Sequence, residues 1–495
     1  MKWINFFTVV IGLLAISGCQ DTDKRKEQTT SYIVETIPLP EGLEGETGAI
    51  AFLPDGRLVA CFLRGEVMIY DPAQESWGVF ATGLHEPLGV LVVDESELLV
   101  MQRPELTRVK DTDGDGQADL FETVADDFGM TGNYHEWNYG PVKDSKGNLF
   151  IGLNTSSEWG IMQEEVRGRL DTTLVPGKPL QKFSAVPYRG WIMKLTPEGK
   201  TIPYASGFRS PSGLVVDDSD RLFVTDNQGD WVGTSTIFQV EEGKFYGHPA
   251  SLLWTPGWDR GDPSKLPVEE LNAMRTMASV LMPHGIISSS PTQLVVDETG
   301  GKFGPFSGQL FIGEMNQERI IRAMLEEVDG QLQGAVLPFI DGQNLLKGNN
   351  RLAFAPDGSL WVGHVQYGFV GDKGIQRIVF TGKPPVDIYD MKITKKGFDL
   401  TFTQPLNDSL ASAPASYELK HYYYDYHLKY GSDQYDVQDV AVTSVELSAD
   451  RKKVSLTLME LKKGYIYELN LKGITSSNGE PLANTLICYT VNRLR

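Results

Sequence analysis

Cysteine is scarce: three residues in 495, at Cys19, Cys61 and Cys488. Cys61 and Cys488 are far apart and fall in segments of different pattern, which argues against a disulfide framework. No Cys-x-x-Cys-His occurs, which excludes covalent c-type haem. Positive charge is also short. The chain carries 45 Lys and Arg against 65 Asp and Glu, a formal net charge of −20. Such a field repels nucleic acid and anionic lipid, so neither is expected as a partner. Beyond the first residues, no apolar run is long enough to cross a bilayer as a helix.

What is present begins with Met1-Lys2-Trp3, a mostly apolar run from Ile4 to Ile16, and Ser17-Gly18-Cys19. One early positive charge, a short apolar stretch and small residues before a cleavage point read as a secretory signal. Ile16-Ser17-Gly18-Cys19 resembles the bacterial lipobox, which implies cleavage before Cys19 and lipid attachment to it. The expectation is a lipoprotein anchored to a bacterial membrane and facing the periplasm or the cell surface. Residues 1–18 form the signal and 19–32 a polar tether.

A self-similar unit then recurs, made of an apolar strand, an Asp-Gly-type turn and a second apolar strand. The first copy runs from Gly48 through Pro54-Asp55-Gly56 to Ala60. Later copies start near Gly89, Gly140, Gly213, Pro291 and Arg351. Each is followed by one or two further strands, so six units of four strands predict an all-β, six-bladed propeller over 33–381. Two long insertions, 155–189 and 247–282, are of the length that loops reach when they carry function; Leu266 to Ala278 has room for a short helix. The composition changes at Gly382-Lys-Pro-Pro-Val386. Alternating strands from there predict an immunoglobulin-like β-sandwich over 382–495. Its cluster Tyr422, Tyr423, Tyr424 and Tyr426 reads either as packing or as a sugar-stacking platform.

One motif carries metal chemistry by spacing alone. Asp111, Asp113, Asp115, Gln117, Asp119 and Glu122, with Gly116 at the sixth position, reproduce a calcium-binding loop. The flanks read as strands, which sets the loop on a β-hairpin, where Ca2+ has a structural role.

Four segments together resemble the glucose/sorbosone dehydrogenase-like quinoprotein propellers, in particular the membrane-associated branch of planctomycetes and Bacteroidota. They are Gly132-Asn-Tyr-His135-Glu-Trp-Asn-Tyr-Gly140, Ser206-Gly-Phe-Arg209-Ser-Pro-Ser-Gly213, Ile237 to Pro249, and Pro291-Thr-Gln with Phe306 to Gly313. The resemblance implies that His135 is a general base and that Arg209 lines the cofactor face, with pyrroloquinoline quinone as the cofactor. Two departures stand out. Thr234-Ser235-Thr236 occupies the place of an acidic pair, and Ser210 stands where the family has Asn.

The candidate site thus comprises His135 as base. Glu136, Trp137, Arg209, Asn227, Asp230, Trp231, His284, Arg319, Arg351 and His364 are candidate cofactor- or substrate-binding residues. A polar funnel of this kind suits a carbohydrate. Three functions stay open: a sugar-oxidising enzyme passing electrons to a separate acceptor, a cofactor-free glycan lyase, dehydratase or hydrolase, and a non-catalytic glycan-binding lipoprotein.

Overall fold

The computed structural model describes residues 31–157, 167–170, 181–367 and 370–495. The signal, the lipobox with Cys19, and most of the tether lie outside the described residues. No helix among those described is long and apolar enough to cross a membrane.

The recurring unit is a blade. In the first, Thr47–Phe52, Leu58–Phe62, Val67–Asp71 and Ser76–Ala81 pair in sequence order as one antiparallel sheet. The turn is the one the sequence announces: Asp55 accepts the Arg57 amide at 3.0 Å, and Gly56 takes a positive φ of 92°. Second strands sit inside blades and are covered on both faces. They are accordingly apolar without alternation, as in Leu58-Val-Ala-Cys-Phe62, every residue of which is buried.

Six such sheets form a ring. Their innermost strands are Thr47–Phe52, Gly89–Val92, Asn138–Lys143, Pro211–Val216, Pro291–Val296 and Asn349–Phe354, each packed on the next and the last on the first. The ring closes by strand exchange: Tyr32–Ile37 supplies the outer strand of the sixth blade, pairing Tyr32 with Phe380 and Ile37 with Ile375. The axis is narrow, which explains the glycines that begin the repeats. A Cβ on Gly89 would lie 1.5 Å from the Gly140 carbonyl oxygen, and one on Gly213 would lie 2.2 Å from that of Thr292.

The C-terminal residues form two packed layers. One is the sheet of Ile388–Ile393, Gly397–Phe402, Lys453–Leu458 and Val442–Leu447. The other is not separate from the propeller. The outer strand of the fifth blade, Gln331–Asp341, pairs with Leu486–Val491 (Gly334 with Thr490, Val336 with Cys488), making one eight-stranded sheet. Met324, Val328, Ala335 and Leu337 of that blade share a core with Phe398, Leu400, Tyr467 and Tyr489. Arg322 and Asp387, both fully buried, are ion-paired at 3.2 Å across the same junction.

The flanks of the acidic loop are strands, Leu106–Lys110 and Leu120–Ala125. Asp111, Asp113 and Asp115 bring carboxylate oxygens within 4.8 Å of one another. Asp119 accepts from the Thr112 amide and hydroxyl, and Glu122 pairs with Arg108. The Gln117 amide donates to Asp115 at 2.8 Å. Three of the six residues of the motif therefore converge, and two acids are held by neighbours.

Candidate active site

First strands begin, and second strands end, at the same rim of the ring, so the loops there converge on one mouth. The cavity at this mouth has a volume of about 380 Å³. It draws on four of the six blades, on the first insertion and on the C-terminal layers.

His135 stands in the loop before the third blade and is buried. Its Nδ1 lies 2.8 Å from the Thr155 carbonyl. A carbonyl only accepts, so Nδ1 carries the proton and Nε2 keeps the lone pair. Burial, with the cations Lys182, Arg209 and Arg103 nearby, holds the imidazole well below its ordinary range. His135 is thus a neutral ring with a bare nitrogen at neutral pH.

Arg209 precedes the fourth blade. The Asp226 carboxylate, at the end of Leu222–Asp226, accepts the Arg209 and Ser210 amides at 2.9 and 2.6 Å and fixes that loop. Burial pushes the Asp226 carboxyl up to about 6, against the pull of those two amides. Glu314 repeats the device in the fifth blade, accepting the amides of Ser289 and Ser290. The Arg209 side chain runs over Gly229, where a Cβ would sit 2.4 Å from its Cδ. Its Nε is buried with no hydrogen-bond partner among the described residues, and no ion pair of Arg209 occurs among them.

Trp137 lines the cavity and stacks on Tyr367 at 4.8 Å. Asn227 lines it too, donating to Ser290 at 3.0 Å with its Oδ1 left unpartnered among the described residues. His284 is an exposed lining residue.

The remaining candidates frame the mouth. Glu136 is wholly buried behind it, accepting from Thr131 and Ser156 and facing Arg189 at 3.8 Å. Asp230 accepts the Lys182 amide at 3.0 Å and pairs with His248 at 3.2 Å. Trp231 packs on Tyr426. Arg319 grips Asp341 and the carbonyls of Ile286 and Ile287. Arg351 crosses the axis, donating to the carbonyls of Gly48 and Ser212 in the first and fourth blades. His364 is fully buried against the Lys347 carbonyl.

Lys182 and Tyr430 are lining residues that sequence reasoning did not single out. Lys182 arrives on the first insertion, where Lys182–Phe183 pairs with Ser156–Ser157, and donates to Ser157 at 2.8 Å. Tyr430 arrives from the C-terminal layers. Tyr426–Tyr430 pairs with Asp230–Val232, and the guanidinium of Arg209 lies 5.5 Å from the Tyr430 ring centre. No Asp or Glu is among the described residues that line the cavity. Of the tyrosine cluster, Tyr422 is buried and Tyr426 donates to the Gly247 carbonyl, both packing roles.

Thr234, Ser235 and Thr236 are engaged within the protein, with the Met282 carbonyl, the Gln228 amide and the Asp226 carbonyl. A divalent ion beside a cofactor needs oxygen ligands, preferably carboxylates. These residues and the described part of the lining, which holds no carboxylate, do not fit that ion, whereas Arg209 and Lys182 fit carboxylate groups of a ligand.

Residues 69–369 match the family model of DUF7133, a domain of unknown function. No protein of curated function matches the chain. Similar solved structures include an oxidoreductase of Thermus thermophilus described as a glucose dehydrogenase, 19% identical with a TM-score of 0.48, covering 70% of this chain and 100% of that one. The PQQ-bound aldose sugar dehydrogenase of Streptomyces coelicolor is 18% identical with a TM-score of 0.45, covering 71% and 98%. The PQQ domain of Coprinopsis cinerea pyranose dehydrogenase is 13% identical with a TM-score of 0.47, covering 70% and 95%.

Proposed function

The chain belongs to the DUF7133 family, and we propose that the mouth of its propeller is the active site of a carbohydrate-processing enzyme with His135 as general base. The observation that carries this is the bond from His135 Nδ1 to the Thr155 carbonyl, which turns a neutral ring's bare Nε2 into the acceptor at a polar cavity. Saccharides offer hydroxyl and C–H protons to such a base. Trp137 and Tyr367 supply an aromatic wall, and Asn227 with Ser290 supplies hydrogen-bonding groups.

A second reading, quinone-dependent oxidation, is favoured by the Arg209 and Lys182 cations, which suit the carboxylates of pyrroloquinoline quinone. Among its described lining residues the cavity gives no carboxylate for an accompanying metal. Electrons would then go to a separate acceptor. In either reading the chain acts outside the cytoplasm, held to a membrane by lipid on Cys19; Cys19→Ser is expected to release it into the soluble fraction.

The deciding experiment screens the protein from Gln20 onward on neutral and acidic oligosaccharides, with and without pyrroloquinoline quinone. Dye reduction that needs the quinone supports oxidation, and new ultraviolet-absorbing double bonds without it support elimination. Turnover that survives intact in His135→Ala would remove His135 as the base. Absence of any turnover, with glycan binding retained, would make the mouth a binding site only.

A further inference from the structure

Arg209 lines the cavity, and among the described residues it has no ion-pair partner there. Its Nε is buried and unpartnered among the described residues, its path is cleared by Gly229, and its backbone is pinned by Asp226. A charged group's N–H donor left without a partner is destabilising unless a ligand or solvent claims it. Beside the guanidinium stands Tyr430, more than a third exposed, which also lines the cavity.

Tyr430 is held there by construction. The Gly431 amide donates to the Gly229 carbonyl at 3.0 Å, and that of Ser432 to the Gly233 carbonyl at 3.1 Å. Tyr426, four residues earlier, donates to the Gly247 carbonyl at 2.6 Å and lies under the Arg275 guanidinium. The strand Tyr426–Tyr430 and the residues after it are therefore stitched to the loop over which Arg209 runs. Tyr430 lies beyond the residues that match the family model, so this wall is a contribution of the C-terminal layers to the propeller's site.

We infer that the ligand is an acidic saccharide of the uronate class, its carboxylate taken by Arg209 and its sugar ring stacked on Tyr430, which makes Tyr430 a specificity-determining residue. This rests on the carbohydrate reading above. A planar carboxylate matches the guanidinium fork, a pyranose presents a C–H face to an aromatic ring, and the guanidinium and the Tyr430 ring stand side by side, 5.5 Å from guanidinium to ring centre. A neutral sugar would fill the same space and leave the Arg209 donor stranded, which is the physical origin of the discrimination.

The test is equilibrium binding of galacturonate and glucuronate oligomers, size-matched neutral oligomers, and pyrroloquinoline quinone to the full soluble chain. The inference expects uronate oligomers to bind at least about tenfold more tightly than neutral ones, a gap of ~1.4 kcal/mol, shrinking as salt is raised. Arg209→Gln should erase that gap, weakening uronate oligomers at least about tenfold more than neutral ones. Tyr430→Ala should weaken all oligomers by roughly tenfold, and Tyr430→Phe should restore them, since only the ring face is needed. Neutral oligomers binding as well as uronates would overturn the acidic class while leaving the carbohydrate reading intact. Quinone binding that depends on Arg209, without a uronate preference, would assign the cation to the cofactor and overturn the inference. No saccharide binding at all would remove both readings. Circular dichroism of each variant separates loss of contact from loss of fold.

Discussion

His135 Nδ1 and the Thr155 carbonyl oxygen stand 2.8 Å apart, joining the loop before the third blade to the start of the first insertion. The bond selects the tautomer, and burial with the surrounding cations keeps the ring neutral. The first prediction follows. In a pH titration followed by nitrogen-resolved NMR, His135 should show an Nδ1-protonated neutral ring at pH 7. It should resist protonation well below the ordinary imidazole value of about 6.5. A ring that titrates near that value would mean an imidazole open to solvent, which the geometry forbids.

The Arg322–Asp387 pair predicts how the molecule unfolds. Both groups are buried, and burial pushes the Asp387 carboxyl up and the Arg322 guanidinium down, against their mutual attraction. Asp387→Leu leaves an uncompensated buried cation and should cost about 3–5 kcal/mol. Arg322→Met with Asp387→Leu should recover much of that loss. Because the fifth blade and the C-terminal layers share a sheet and a core, calorimetry should show a single transition. Two resolved transitions would show that the junction does not couple them.

The propeller is legible because its constraints are local. Gly89 and Gly213 mark where backbones of adjacent blades touch, Asp55-Gly56 marks a turn, and Leu58 to Phe62 marks a strand covered on both faces. The site is legible only in part. His135, Trp137, Arg209, Asn227 and His284 reach the cavity from the rim loops of the blades, and the resemblance or the rim position flagged each. Glu136, Asp230, Arg319, Arg351 and His364 sit in equally suggestive positions yet hold the frame, since a polar residue at a rim serves a neighbouring carbonyl or amide as readily as a ligand. Tyr430 could not be flagged. It arrives through pairing of Tyr426–Tyr430 with Asp230–Val232, a contact spanning about two hundred residues of sequence that leaves no periodic trace. The shared eight-stranded sheet was invisible for the same reason, since Gly382-Lys-Pro-Pro reads as a linker whatever the strands beyond it pair with.

The acidic loop makes a prediction about calcium. Three carboxylates crowded within 4.8 Å repel one another, and a hard cation relieves that repulsion. Calcium at about one hundred times its dissociation constant should stabilise the protein by about 2.7 kcal/mol, read as an upward shift of Tm. Asp113→Ala combined with Asp115→Ala should abolish the shift and barely alter stability in chelator, since both side chains are exposed. A wild-type Tm that is indifferent to calcium would dismiss the metal, and a shift that survives in the double variant would place it elsewhere.

His364 makes the pH prediction with the clearest sign. It ends the strand Leu360–His364 with no exposure, its Nδ1 3.1 Å from the Lys347 carbonyl and its Nε2 without a partner among the described residues. Burial lowers its pKa to about 4, with the Lys347 carbonyl and Asp372 pulling the other way. In the unfolded chain the ring titrates near 6.5. Between the two values the unfolded state takes up a proton that the folded state refuses, so stability falls as pH drops through that window. The loss from this residue is at most about 3 kcal/mol by the time pH reaches about 4. Asp226 works in the opposite sense. Its carboxyl is raised to about 6, so its contribution is present at low pH and is lost as pH rises through that value. The wild-type profile therefore mixes the two, and the informative quantity is the difference between wild type and His364→Gln in urea unfolding at about pH 7 and about pH 4. The variant lacks the titrating ring, so its stability relative to wild type should improve on acidification by up to about 3 kcal/mol. A difference that stays constant across the window would mean that the buried ring takes up its proton as readily as in the unfolded chain, and that the sixth blade opens there to let it.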